Sequence, residues 1–203
     1  MTNFRTSVVT GMLDVSMLPR GLRTVIESEL QPGERIDWLG QPLPGRMAFA
    51  ALPAVLFAIV WTAFSIFWVY GAGAKAWIEG GEFQVFPLFG VPFVLIGFTM
   101  LFSPFWIMRS ARYSAYVLTD RRAVLFKAGL RSSVNIRSFE PAQLANLQRN
   151  QRADGSGDLV FTQDVGRDSD GDRTYRNVGF MAIQDVKGVE ERVRELVRRT
   201  RSV

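Results

Sequence analysis

The chain has 203 residues, a formal charge of +5, and neither cysteine nor histidine. That inventory excludes disulfides, thiolate nucleophiles, zinc sites built on Cys or His, and histidine acid–base catalysis. Charge is segregated along the chain. Residues 1–46 carry five Arg against five acidic side chains, and residues 47–108 carry only Lys75, Glu79 and Glu82. Residues 109–203 carry eighteen Lys and Arg against twelve Asp and Glu, a net of +6, so an anionic partner is sought there.

Residues 1–18 show no periodicity and read as mobile. Pro19 to Leu30 reads as a short amphipathic helix, with Leu22, Val25, Ile26 and Leu30 on one side and Arg20, Arg23, Glu27 and Glu29 elsewhere. Two placements are open for it, the membrane interface or the surface of the C-terminal domain. Gln31-Pro32-Gly33 is a turn signal that stops the helix. Gln41-Pro42-Leu43-Pro44-Gly45 is a stiff connector.

Met47–Tyr70 and Phe83–Met108 contain no charged residue. At 1.5 Å rise per residue each reaches about 36–39 Å as a helix, enough to cross a roughly 30 Å hydrocarbon core with some tilt. The expected division is a cytoplasmic N-terminal segment (1–46), a transmembrane hairpin (47–70 and 83–108, the loop Gly71–Glu82 between them), and a cytoplasmic domain (109–203). Arg35, Arg46, Arg109, Arg112, Arg121 and Arg122 flank the spans, whereas the loop offers only Lys75. The positive-inside rule then places both termini in the cytoplasm of a cell whose inner membrane holds the hairpin. Trp68, Tyr70 and Trp77 would mark the outer interface and Trp106 the inner one.

Within the spans, Ala50, Ala54 and Ala58 recur every four residues, and Gly90 and Gly97 lie seven apart. Small residues let helix backbones approach in lipid, so these five are the expected packing positions, within the hairpin or between copies. Pro87, Pro92 and Pro104 are expected to bend the second helix or loosen its ends. No ionisable group lies within either span, which leaves a proton relay nothing to run on.

From Arg112 onward the pattern becomes short strands separated by turns. Tyr113–Leu118, Ala123–Lys127, Val134–Phe139, Leu144–Gln148, Leu159–Thr162 and Asn177–Ile183 read as strands, with Val165–Arg173 as a polar loop. The stripe Val186, Val189, Val193, Leu196 and Val197 predicts a terminal helix from Val186 to about Thr200 that lies on the sheet. The fold class is α+β.

The run Tyr116-Val117-Leu118-Thr119-Asp120-Arg121-Arg122-Ala123-Val124, then Lys127-Ala128-Gly129, resembles the opening hairpin of the bacterial pleckstrin-homology-like domains. Gly157-Asp158-Leu159-Val160-Phe161 is similar to their mid-domain strand, and Gly179-Phe180-Met181-Ala182-Ile183-Gln184-Asp185-Val186 to their closing strand and helix start. Leu30 to Gly40 resembles the segment that often precedes a membrane hairpin in such proteins. The resemblance implies two packed antiparallel sheets closed at one end by the terminal helix. It implies no catalytic site, and a fold of this kind does not by itself carry phosphoinositide binding.

Two features are candidate sites. The basic set Arg109, Arg112, Arg121, Arg122, Lys127, Arg131 and Arg137 would contact an anionic lipid headgroup or a protein partner; as alternatives, Arg109 and Arg112 set topology and Arg121 and Arg122 form salt bridges inside the domain. The aspartates Asp164, Asp168, Asp170 and Asp172 with Gly171 fail as a calcium loop, because Gly166 and Asn177 fall where ligands are required. No metal, cofactor or catalytic residue is expected, and the aromatic residues concentrate in the spans rather than on a nucleic-acid stacking platform. The expectation is a non-enzymatic, membrane-anchored interaction or assembly module, with anionic-lipid sensing as the alternative. Its expected partners are the bilayer and another protein or a second copy.

Overall fold

The computed structural model describes residues 15–79, 88–129, 133–167 and 170–201, with the side chains of 72 and 74–79 also outside the description. The chain divides into two compact units, Met1–Pro44 with Ser110–Val203, and Gly45–Arg109. The first unit is therefore discontinuous in sequence.

Among the described residues, seven strands build that unit. β1 (Ile36–Gly40), β2 (Ala115–Thr119), β3 (Ala123–Ala128) and β4 (Val134–Phe139) form one antiparallel sheet in that order. β5 (Gln148–Gln151), β6 (Gly157–Arg167) and β7 (Arg173–Ile183) form a second. The sequence reading begins the domain at residue 109, but Ile36–Gly40 pairs with β2 across the whole helical insertion, Leu39 facing Val117 and Gly40 facing Tyr116.

β2 is buried at every position, which explains why Ala115–Thr119 lacks the alternation of a half-exposed strand. Side chains alternate between faces, and both faces are covered. Trp38, Tyr116, Leu118, Ala123, Leu125 and Phe139 join a core shared with Leu159, Phe161, Phe180 and the terminal helix. Leu39, Ala115, Val117, Val124 and Phe126 join a second core with Leu18, Leu22 and Ile26. Leu18 follows a 3-10 turn (Val15–Met17), and Leu22 and Ile26 lie on α1 (Arg20–Glu29), so the amphipathic N-terminal helix docks on the outer face of the first sheet. Ile26 is wholly buried there, and covering a side chain of that size contributes roughly 1.5–3 kcal/mol.

The shared core is aromatic. The Phe180 ring lies 5.3 Å from Trp38, 5.1 Å from Tyr116 and 4.8 Å from Phe161, centroid to centroid. β7 ends in a bulge, where the register with β6 shifts between Gly157 and Leu159. Ala182 sits in the bulge at φ 54°, a left-handed conformation costing an L-residue about 1–2 kcal/mol. Its N–H donates to the Asp158 carboxylate (2.7 Å), and its carbonyl accepts from Leu43 N–H (2.8 Å). The last helix of the chain (Val186–Arg201) buries Val186, Val189, Val193 and Leu196, and the Asp185 carboxylate caps it by accepting from Gly188 N–H at 3.0 Å.

The second unit is helical. α2 (Pro44–Phe49) gives way to α3 (Leu52–Glu79), the interruption coming where Pro53 can occupy only a first turn. α3 runs on through Gly71–Glu79, which the sequence reads as loop. Its Ala-rich run favours helix, and extending a formed helix needs no new nucleus. α4 (Val91–Leu101) and α5 (Ser103–Arg112) are separated at Phe102, two residues before Pro104. Pro92 starts α4 without a broken hydrogen bond; Pro87 lies outside the described residues. Residues Leu52–Gly71 and Leu88–Arg112, of mean hydropathy 2.1 and 1.9, are long and apolar enough to cross a membrane. Only 17% and 11% of their most apolar stretches are buried, unlike the core helices of a water-soluble body. The terminal helix of the first unit is hereafter α6.

Candidate functional site

The two strands that flank the helical insertion are antiparallel neighbours, so both of its legs leave the same end of one sheet pair. Gln41 ties them. Its Nε2 donates to the Arg112 carbonyl at 2.9 Å and to the Ser114 carbonyl at 3.1 Å, joining the outgoing connector to the returning end of α5. The Ser114 hydroxyl in turn accepts from Ala128 N–H at 3.1 Å. Leu43 is held by Ala182 as above. This root borders a cleft of about 1060 Å³, floored by Trp38, Leu43 and Ile183 and rimmed by Arg112, Arg192 and Glu195. Arg192 reaches the Asp37 carbonyl at 3.4 Å, while Glu195 is engaged by Arg198 and Arg199, at 2.7 and 3.0 Å. The cleft is thus mixed in charge.

The basic set does not form one patch. Arg121 and Arg122 occupy the β2–β3 turn, and Lys127 lies five residues along β3, roughly 16 Å away at strand rise. Arg122 is committed to structure: its Nε donates to Glu34 Oε1 at 2.9 Å, and its Nη2 to Glu34 Oε2 at 3.1 Å and to the Glu29 carbonyl at 2.8 Å. The Glu34 side chain is fully buried. Burial pushes its carboxyl up, but the bonds from Arg122, Gln31 N–H and the Thr119 hydroxyl outweigh it and hold the carboxyl at about 2. The same bond holds the Arg122 guanidinium above its ordinary value. Arg35 and Asp120 add a reciprocal pair, each backbone N–H donating to the other residue (2.9 and 3.0 Å). This clasp fastens the segment before the insertion to the turn after it. Arg121 is exposed beside Gln31.

Arg137 and Lys127 do converge, on the inner faces of neighbouring strands. Arg137 forks onto Asp164 of β6 and lies 5.5 Å from the Phe139 ring centroid. It links the two sheets beyond the end of β5, which pairs with β6 only from Gly157 to Val160. Arg137 depresses the Asp164 carboxyl, and burial followed by Arg137 depresses the Lys127 ammonium. Arg109 and Arg112 are exposed on α5. Arg131 lies outside the described residues.

Of the five small residues, three pack inside the helical unit. Ala58 is fully buried, and a methyl group added at Gly97 or Gly90 would collide with Thr62 or Val69 respectively. Ala50 and Ala54 are exposed, and the break at 50–51 takes Ala50 out of the α3 stripe. The Thr62 and Ser65 hydroxyls bond the Ala58 and Trp61 carbonyls (2.6 and 2.8 Å), and Trp61 Nε1 reaches the Phe93 carbonyl (3.1 Å). The seam is therefore polar only where it is satisfied. Trp77 and Lys75 side chains, and Asp168, lie outside the description.

A feature without a sequence signal is the outer half of the β6–β7 hairpin. Both strands have eleven residues, extending through the segment that reads as a Gly- and Asp-rich loop. Val165 and Tyr175 stand opposite one another on it, 63% and 60% exposed. Only backbone pairing reveals it, since its side chains carry no alternating apolar pattern. Among the described residues no group of three or more acidic side chains could hold a metal ion. Comparison with protein-family models, with curated proteins and with solved structures gives no match.

Proposed function

We propose that this chain is a membrane-anchored interaction module of the bacterial pleckstrin-homology-like type, which holds a protein partner against the cytoplasmic face of the inner membrane. The carrying observation is the insertion of the two apolar helices between β1 and β2. A hairpin of lipid-crossing helices needs both ends on one side, and adjacent antiparallel strands joined by Gln41 supply that. The four-plus-three strand order with a closing helix supports the family resemblance. The reading assigns the module no reaction, since its buried ions serve as fasteners.

The test is gentle detergent extraction of the full-length chain from its native membranes after crosslinking. A protein recovered in fixed proportion is the expected result. Recovery only as a partner-free monomer contradicts the reading.

A second reading, anionic-lipid sensing, draws support from the exposed Arg112 at the end of the second apolar stretch, where a basic residue gains roughly 1 kcal/mol near anionic headgroups. Residues 109–203 alone would lack β1 and Trp38, so the full chain is required. Backbone exchange of β3 and β4 in phosphatidylglycerol nanodiscs is expected to fall below that in phosphatidylcholine. Equal exchange at low salt rules it out.

A further inference from the structure

The cleft at the root of the insertion is built wholly from residues of the first unit, with β1 and its connector on one side and α6 on the other. The β1 side has a direction. At its near end Gln41 holds the Arg112 carbonyl, where the chain leaves for one apolar stretch and returns from the other. At its far end Arg192 of α6 reaches the Asp37 carbonyl, with Glu191 next to it on the helix. Four residues separate Gln41 from Asp37, roughly 13 Å at strand rise.

Four carboxylates and three guanidiniums line the cleft, so an anion finds no excess of positive charge in it. Some of these groups are already engaged. Asp185 caps α6, and Glu195 holds Arg199 together with Arg198. Asp37, Glu191, Arg112 and Arg192 remain, and among the described residues none of these four side chains pairs with an opposite charge. The remaining groups are therefore two acidic and two basic, and they are ordered. Arg112 stands nearest the apolar stretches, and Asp37 and Glu191 lie farther from them, beside Arg192. The floor of Trp38, Leu43 and Ile183 is apolar.

A phospholipid with an aminoethyl headgroup carries its charges in the matching order. Its phosphate adjoins the glycerol at the membrane surface, and its ammonium is the outermost group. A lipid with a phosphate alone would leave Asp37 and Glu191 unanswered. The quaternary nitrogen of a choline lipid has no N–H to give them, whereas a primary ammonium has three. Hydrogen bonds between two ionised groups are the strong ones.

We propose that this cleft seats the headgroup of a membrane phospholipid bearing a primary amine, with its phosphate towards Arg112 and its ammonium on Asp37 and Glu191. This rests on the membrane-anchored reading and names a ligand for the root of the anchor.

The full-length chain is reconstituted into nanodiscs of equal parts phosphatidylethanolamine, phosphatidylcholine and phosphatidylglycerol, with soluble glycerophosphoethanolamine in the buffer. Native mass spectrometry after gentle detergent release reads what the chain keeps. One phosphatidylethanolamine per chain is expected, favoured about tenfold over either other lipid, the scale of one charge-assisted hydrogen bond. The double variant Asp37→Asn with Glu191→Gln should lose the preference over phosphatidylcholine and keep its melting temperature, because neither carboxylate pairs with a charge inside the fold. Arg112→Gln should weaken retention of both lipids alike. Equal retention of the ethanolamine and choline lipids, preference for phosphatidylglycerol, or retention indifferent to these variants overturns the proposal. Retention of glycerophosphoethanolamine in place of the lipid overturns the lipid source. A chain that enters the discs but keeps no phosphatidylethanolamine leaves the anchor standing and removes the cleft as a lipid site. A chain that never enters them removes both.

Discussion

Arg122 and Glu34 are 88 positions apart in sequence, yet Arg122 Nε lies 2.9 Å from a Glu34 carboxylate oxygen. The pair closes the first unit across the helical insertion, at the end of β2 remote from the insertion's root. Glu34 is accessible to no solvent through its side chain and Arg122 to little, so neither ion can lose the other cheaply. Glu34→Gln leaves the guanidinium short of its counter-ion and should cost about 3 kcal/mol of unfolding free energy. Urea unfolding followed by tryptophan fluorescence measures it.

The same carboxylate makes the fold acid-sensitive. Its folded value of about 2 lies below the ordinary 4.5. The stabilisation is fully present above pH 4.5 and is lost as pH falls from there towards 2. A shift of that size corresponds to about 3 kcal/mol. Between pH 6 and pH 3 the wild-type melting temperature should fall more steeply than that of Glu34→Gln, in thermal scans of the detergent-solubilised chain.

Ala182 makes a different demand. Its left-handed φ is tolerable for alanine and poor for a β-branched side chain, whose bulk crowds the adjacent carbonyl. Ala182→Val should destabilise by about 2 kcal/mol or more, whereas Ala182→Gly should stay within about 1 kcal/mol of wild type. Chemical denaturation of the three proteins side by side checks the order.

The helical seam can be probed because the chain has no cysteine of its own. A Cβ at Gly97 would lie 3.1 Å from the Thr62 Cβ, close to disulfide geometry. The double variant Thr62→Cys with Gly97→Cys should oxidise within one chain, read as a mobility shift without a dimer band. The pair Ala54→Cys with Gly97→Cys should not, since Ala54 is exposed and lies eight residues, about 12 Å of helix rise, from Thr62.

Much of this architecture was legible in sequence. The charge-free stretches locate α3 and α4–α5, the 3.6-residue stripes of Leu22 and Ile26 and of Val189 and Val193 locate α1 and α6, and the Thr119–Arg122 turn locates the β2–β3 hairpin. Strand β1 was harder to see as part of the sheet, because five residues give no register when their partner lies beyond an insertion. Leu144 and Leu147 draw the expected fourth strand, Leu144–Gln148, too early. Leu144 is a buried anchor in a turn, and the strand itself is the polar Gln148–Gln151. The ribbon half of β6 and β7 was invisible for the same reason: its order comes from backbone pairing, not from burial. Among the basic residues, Arg122 and Arg137 already have carboxylate partners far away in sequence, Glu34 and Asp164, which composition cannot disclose.

The account depends on two apolar helices that turn back through lipid and return to the sheet they left. Single cysteines at position 81, between the apolar stretches in sequence, and at position 151, on the exposed edge strand β5, test this with a membrane-impermeant maleimide. The account predicts that Gly81→Cys is labelled in intact cells and that Gln151→Cys is labelled only after the membrane is opened. Labelling of Gln151→Cys in intact cells, or protection of Gly81→Cys until lysis, would contradict it.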